Sequence, residues 1–375
     1  MNDSRHFASD NYAPVHPEVM DAIAAVNTGH EPAYGADAAT AAFDAAVSET
    51  WGDEARGFPV FNGTGANVIS LMALSPRWGG VVASEHAHIH RDENGAPERV
   101  GGLKLLEVPA PDGRIAPAAL ERYVGDLGDP HRAQPLVLSV TQATEVGTVY
   151  SVEQMRELTD AAHAAGMRVH LDGARLANAA AALGVTLADA SAGADVVSFG
   201  GTKNGAMGAE AVVVLAPDLR ENLARDLPFL RKSTMQLGSK MRYASAQLTA
   251  LLTARDAAGD PLWLRNATHA NAMATWLRAE LEPLEREGFL RFTQATEANA
   301  VFVELPRSAA DELRRTFRFY DWQPGSTPDT VEVRLMCSWD TRSEDCDLLG
   351  ALAHAAAHPE QATTATFEMR ATEDD

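Results

Sequence analysis

The chain has 375 residues, of which 46% are apolar, and a formal net charge of -21. That length exceeds what one core of about 250–300 residues accommodates, so two domains are expected. The acidity excludes the basic face that a nucleic-acid partner requires. No run of about 18 apolar residues is present to cross a bilayer, so no membrane partner is expected. The N-terminus shows no basic patch followed by an apolar run, and Cys337 and Cys346 cannot build a disulfide framework. A cytoplasmic protein is the expectation.

Residues 1–14 are polar and irregular and read as an arm. Pro17 opens a helix that runs to Val26, and the loop Glu31-Pro32-Ala33-Tyr34-Gly35-Ala36-Asp37 precedes a second, alanine-rich helix. Phe58-Pro59-Val60-Phe61 reads as a brief strand. It is followed by Asn62-Gly63-Thr64-Gly65-Ala66-Asn67 and a periodic apolar run to Leu74. Strand, glycine turn with a hydroxyl, then helix outlines an anion site, because first-turn N–H groups lack intrahelical partners. A turn whose glycines serve only its tightness is the competing reading. No Lys-Ser/Thr pair follows, so this is not a nucleotide P-loop, and the dinucleotide spacing is absent.

His86, His88 and His90 alternate on a segment read as extended, where they would share one face and could start a metal site. A polar loop, or one imidazole stacked on a flat cofactor, fits the same residues. Residues 136–140 form a buried strand, 141–147 the loop at its carboxyl end, and 152–165 a helix ending at Gly166. The strand over 167–171 runs into Asp172-Gly173-Ala174-Arg175, and an alanine-rich helix follows. The run Asp195-Val196-Val197-Ser198-Phe199 then stops in Gly200-Gly201-Thr202-Lys203-Asn204-Gly205. One more strand covers 209–215. Strand and helix thus alternate from about 55 to 215, which predicts an α/β fold with a largely parallel sheet and helices on both faces. Such sheets bind ligands beyond the carboxyl ends of their strands, so Asp172, Arg175, Lys203 and the 63–67 turn belong to one crevice by topology.

Arg231, Lys232, Lys240 and Arg242 form a local basic excess, either a solvated face or the seat of an anion. A helix-forming region runs through residue 286, and strands over 299–305 and 330–336 flank a helix at 308–316. These predict a small α+β C-terminal domain. The expected division is 1–250, an arm with the large domain, and 251–375, the small domain with a loose tail over 362–375.

Lys203 is either a surface-turn lysine or a covalent site. Pyridoxal phosphate would need an amine to form a Schiff base with its aldehyde, a carboxylate to hold its ring nitrogen protonated, and an anion site for its phosphate. Lys203, Asp172 and the Gly63-Thr64-Gly65 turn can supply those three. Arg175 offers the planar fork that takes a substrate carboxylate bidentately.

Several motifs recur together: Ser9-Asp10, Tyr34-Gly35, Gly63-Thr64-Gly65-Ala66-Asn67, His88-Ile89 with Glu93 and Gly95, His170-Leu171-Asp172-Gly173-Ala174-Arg175, Ser198 through Gly205, Gly238 to Arg242, and Val333-Arg334-Leu335. In this order, over about residues 7 to 340, they resemble the threonine aldolase and β-eliminating lyase family. That family lies within the aspartate-aminotransferase-like fold, fold type I, of pyridoxal phosphate enzymes. The resemblance implies that Lys203 carries the cofactor, Asp172 pairs with its ring nitrogen, and His88 stacks on the ring and handles protons. It implies that Gly63, Thr64 and Gly65 cradle the phosphate with Arg175 near the cofactor, while Arg242 reaches in from a neighbouring subunit. Ser9, Arg175 and Arg334 would grip the substrate carboxylate, and Tyr34 would close the partner's site. A homodimer or homotetramer with sites at the dimer interface is implied as well.

The implied reaction is cleavage of the Cα–Cβ bond of a β-hydroxy-α-amino acid, of threonine, allo-threonine or phenylserine type, to glycine and an aldehyde. One departure stands out: Thr144 occupies the place where many members have a second histidine, leaving the hydroxyl proton to His88, Glu145 or bound water. The Gly-Gly-Thr-Lys-Asn-Gly surroundings of Lys203 resemble a bacterial subgroup that includes enzymes acting on phenylserine-type substrates. Competing readings are a β-eliminating lyase, desulfurase or aminotransferase on the same scaffold, a metal hydrolase using His86, His88, His90 and Asp172, and a cofactor-free binding protein. On the favoured reading the site holds no metal.

Overall fold

The computed structural model describes residues 5–360, and the tail expected over 362–375 lies outside them. Residues 13–268 form one compact unit, and residues 5–12 with 269–360 form another. The first unit is built on a seven-stranded sheet of β1 (Arg56–Val60), β2 (Gly79–Ser84), β3 (Lys104–Val108), β4 (Gln134–Thr141), β5 (Arg168–Gly173), β6 (Val196–Gly200) and β7 (Glu210–Val214). Their spatial order is β1-β7-β6-β5-β4-β2-β3. From β3 across to β6 every pairing is parallel, as the strand–helix alternation predicts. β7 instead runs antiparallel to both β6 and β1. The cause is connection length: residues 201–209 are too few for a helical crossover, which takes a dozen or more.

The helices of this unit are α1 (Pro17–Ala25), α2 (Ala38–Trp51), α3 (Gly63–Leu74), α4 (His88–Arg91), α5 (Ala96–Arg99), α6 (Glu121–Val124), α7 (Val152–Ala164), α8 (Leu176–Leu183), α9 (Leu187–Ala190), α10 (Arg220–Ser233) and α11 (Arg242–Thr253). They cover both faces of the sheet. Alternate strand residues Leu138, Val140, Val169, Leu171, Val197 and Phe199 pack with α2, α7 and α8 in one core. Val196, Val212 and Val214 face the other way, onto Ile69 of α3 and Leu223 and Leu227 of α10.

The α3 face also carries a buried polar stripe. Ser139 Oγ lies 2.9 Å from His170 Nδ1, and Ser198 Oγ lies 2.9 Å from His170 Nε2. Complete burial pushes the His170 pKa down to about 4, against a smaller upward pull from Asp172 two residues on. An unfolded histidine titrates near 6.5, so the unfolded chain binds the extra proton between pH 6.5 and 4 and the folded one does not. The stability is therefore complete above pH 6.5 and is lost as the pH falls toward 4, by about 3 kcal/mol. Urea midpoints at pH 7 and pH 5 should show this fall in the unaltered protein and a smaller fall in His170→Gln.

The second unit holds a four-stranded antiparallel sheet, in the order β10-β11-β9-β8, of β8 (Arg291–Phe292), β9 (Ala300–Pro306), β10 (Tyr320–Pro324) and β11 (Thr330–Met336). α12 (Leu262–Arg286) runs into this unit from the first, and α13 (Arg307–Leu313) and α14 (Ser343–Ala357) complete it. Phe7 is fully buried here, with its ring edge-on to Phe317 at 5.2 Å, and its main chain bonds to Arg318 and Met336. The segment read as an arm is thus tied into this core from Phe7 onward.

Candidate active site

β5 and β6 are parallel neighbours, so Asp172 and the turn after Gly200 emerge at the same end of the sheet. Their approach is close. A Cβ on Gly200 would stand 2.7 Å from the Ala174 backbone, and one on Gly201 would stand 2.5 Å from the Ala209 carbonyl, so both positions exclude side chains. Lys203 lies on the single 3-10 turn Thr202–Asn204 and is half-buried. Asn204 anchors that turn: its Nδ2 donates to the Trp263 carbonyl at 3.2 Å, and its own carbonyl accepts from Asn266 Nδ2 at 2.8 Å. The Lys203 amine itself makes no ion pair among the described residues. Arg175 follows β5 in the turn before α8 and is buried.

α3 begins at Gly63, not after Asn67, so the glycines form its first turn. Asn62 caps it, with Oδ1 accepting from the Gly65 N–H at 2.8 Å. The Gly63 and Thr64 N–H groups have no protein acceptor among the described residues, as expected of a first turn. One turn further along, Asn67 Nδ2 donates to Asp172 Oδ2 at 2.9 Å and to Glu93 Oε1 at 2.8 Å. Glu93 Oε1 also lies 2.9 Å from His88 Nδ1. Asp172, Asn67, Glu93 and His88 therefore form one connected chain of side chains.

The histidines do not share a face. His88 opens α4, and residues two apart on a helix point in different directions, whereas only a strand would align them. His88 pairs with Glu93 and His90 with Glu107 at 3.2 Å, and no grouping of three metal-ligating side chains occurs among the described residues. The extended reading of this segment, and the metal site built on it, are corrected accordingly.

Burial alone would lower the His88 pKa. The hydrogen bond to Glu93 and the charges of Glu145, Asp172 and Glu93 outweigh it, so the net shift is upward. In Glu93→Gln the acceptor remains but its negative charge is lost, and NMR should find the His88 ring titrating at lower pH than in the unaltered protein. Thr144, which the resemblance sets where many family members have a second histidine, is committed elsewhere: its hydroxyl lies 2.7 Å from Thr148 Oγ1 and accepts from the Thr148 N–H at 3.2 Å. The adjacent Glu145 is the residue of this loop whose charge reaches His88.

Five other residues singled out in the sequence have partners of their own. Arg242 opens α11, donates to the Thr28 carbonyl at 3.4 Å and stacks beside Tyr243. Tyr34 is exposed, with Lys232 Nζ 4.8 Å from its ring centroid. Arg231 is not part of a solvated face: it is buried and donates to the Pro59 carbonyl at 2.6 Å. Ser9 and Arg334 both lie in the second unit, where Arg334 donates to the Ala8 carbonyl at 3.4 Å. Asn67 and Glu93, quoted as motif letters without a role, and Glu210, read only as a strand residue, are side chains of this region that sequence reasoning passed over. Their partners lie 26 or 105 residues away for Asn67, a separation no local pattern reports.

A family model described as beta-eliminating lyase matches residues 6–306. The chain belongs to this family. A low-specificity L-threonine aldolase of Pseudomonas aeruginosa is 40% identical over 91% of this chain and 94% of its own length. One from a Pseudomonas species is 37% identical over 90% and 94% respectively. A threonine aldolase of Leishmania major has a solved structure that superposes with a TM-score of 0.85 at 28% identity, covering 93% of this chain and 98% of its own. The resemblance read from the motifs, and the fold class it carried, are borne out.

The residues of this family member fit pyridoxal phosphate. Asp172 is buried, accepts only from the neutral Asn67 and Ala174 N–H groups, and has no Lys or Arg partner among the described residues. A buried anion so placed calls for a positive group such as a ring N–H. Asn67 Oδ1 and Glu93 Oε2 are buried polar atoms with no partner among the described residues, and the first turn of α3 presents open N–H groups suited to a phosphate.

Proposed function

We propose that this chain is a pyridoxal phosphate-dependent carbon–carbon lyase that splits a β-hydroxy-α-amino acid of the threonine, allo-threonine or phenylserine type into glycine and an aldehyde. The observation that carries the reading is a buried carboxylate without a cation, Asp172, at the end of a strand paired with the one that leads to the unpaired amine of Lys203. When bound, the cofactor supplies a carbonyl that takes up an amine and a cationic ring that accepts the electrons of a bond broken at Cα.

The protein's own part follows from its side chains. Lys203 supplies the amine that holds the cofactor, and Asp172 keeps the ring nitrogen protonated. Gly63 and Thr64 would hold the phosphate through their open N–H groups, and Gly65, whose N–H is taken by Asn62 Oδ1, completes the turn. Arg175 fixes the substrate carboxylate and so selects which Cα bond is broken, a role that the family resemblance also gives to Ser9 and Arg334. Glu93 holds Nδ1 of His88, which leaves Nε2 to accept the β-hydroxyl proton. The nearby Glu145 and Asp172 charges favour the imidazolium that results. Thr144 is engaged with Thr148 and takes no part.

Assembly as a homodimer or homotetramer fits the exposure of Tyr34, Phe229 and Met235, of which the last two are 73% and 80% exposed. In that assembly Arg242 and Tyr34 serve the partner's site. No helix among the described residues is long and apolar enough to cross a membrane. Both cysteines are free and buried, which suits the reducing cytosol. The test is glycine formation from threonine, allo-threonine and phenylserine by cofactor-supplied protein. Glycine from at least one is expected; ammonia and a keto acid without glycine would transfer the protein to the eliminating or transaminating reading.

A further inference from the structure

Glu210 opens β7, in the interior of the sheet, with Gly200 of β6 and Val60 of β1 as its register partners. An acidic residue at such a position is costly unless something holds it. What holds it is the lysine turn: Glu210 Oε2 accepts from the Gly201 N–H at 2.9 Å and Oε1 from the Thr202 N–H at 3.4 Å, while the Thr202 hydroxyl also bonds to it. Because β7 is antiparallel, its first residue lies beside the last residue of β6, directly under the turn that follows. Leu248 and Leu251 of α11 pack against Gly201. The charge of Lys203 acts on Glu210 and favours its ionised form.

We propose that Glu210 is a positioning residue for Lys203, fixing the turn through its two N–H bonds and placing its own carboxylate beneath the reactive amine. The inference rests on Lys203 being the cofactor-bearing lysine. Two different properties are combined in one side chain. The paired N–H bonds define the backbone two residues before the reactive amine. The carboxylate is also poised to change state near neutrality, because burial pushes its pKa up to about 7 against the pull of those bonds and of Lys203. Above that pH the turn carries an anion set against Lys203; below it, Glu210 is neutral.

The test uses protein freed of cofactor, so it does not depend on turnover. An amine-reactive acetylating reagent is applied between pH 6 and 8.5, and the labelling of Lys203 relative to Lys104 is read by peptide mass spectrometry. In the unaltered protein the ratio should fall through pH 7 by about threefold, the effect of one unit charge a few ångströms away under water-like screening. In Glu210→Gln the ratio should stay level. Glu210→Asp keeps the charge but withdraws it from the turn, so it should retain the fall while hydrogen exchange over 201–205 speeds up by about tenfold or more. If Glu210→Gln does not fold, the Asp variant decides alone. An identical profile in the unaltered protein and Glu210→Gln, or unchanged exchange in Glu210→Asp, overturns the proposal. Glycine formation by the unaltered holoenzyme is scored separately, so failure of the aldolase reading and failure of this one are distinguishable.

Discussion

Lys203→Ala should lower glycine formation by on the order of 10³-fold or more while leaving the protein folded. The fold does not depend on this side chain. The turn is held by Asn204 through Trp263 and Asn266, by Glu210 beneath Gly201, and by Gln247, whose Oε1 accepts from the Met207 N–H at 2.8 Å. Lys203 contributes no ion pair among the described residues, so truncating it should change stability by only about 0.5 kcal/mol. A large loss of turnover with an unchanged urea midpoint is the expected pair of results. Loss of both together would mean that the lysine is structural.

Asp172→Asn should cost roughly 10²-fold or more in turnover, since it removes a preorganised charge from a water-poor site. Asparagine has nearly the same shape, and its carbonyl can still accept from the Ala174 N–H that aspartate receives at 3.1 Å. What disappears is the negative charge that holds a proton on the ring nitrogen, together with the oxygen that accepts from Asn67 Nδ2. The same substitution removes one of the charges that raise the His88 pKa, so the ring should also titrate lower. Kinetics of Asp172→Asn beside an NMR titration of His88 check both; unchanged turnover would remove Asp172 from the site.

The alternation of strand and helix was legible because β4 to β7 are buried along most of their length and read as short apolar runs, with glycines adjoining β5 to β7, whereas β2 and β3 were not read as strands. Strand direction was not: nothing in the residues 210–214 marks them as antiparallel, and only the shortness of the 201–209 connection tells it. Lys203, Asp172 and the α3 glycines stood out because each follows an apolar strand. The histidine trio misled because alternation means one face only if the backbone is extended, and α4 starts at His88. Asn67, Glu93 and Glu210 were invisible as functional residues for a different reason. Each owes its significance to a partner outside any periodic pattern, and a single polar residue carries no periodic signal, whether it sits in an apolar stretch as Asn67 and Glu210 do or among polar neighbours as Glu93 does.

The central claim is that Lys203 carries the cofactor, and the chain's few lysines make it directly testable. Protein loaded with pyridoxal phosphate is reduced with borohydride, digested, and mapped by mass spectrometry for the covalently retained cofactor. The expected result is retention on the peptide containing Lys203. Retention on Lys104, Lys232 or Lys240 instead, or on no lysine at all, would contradict it.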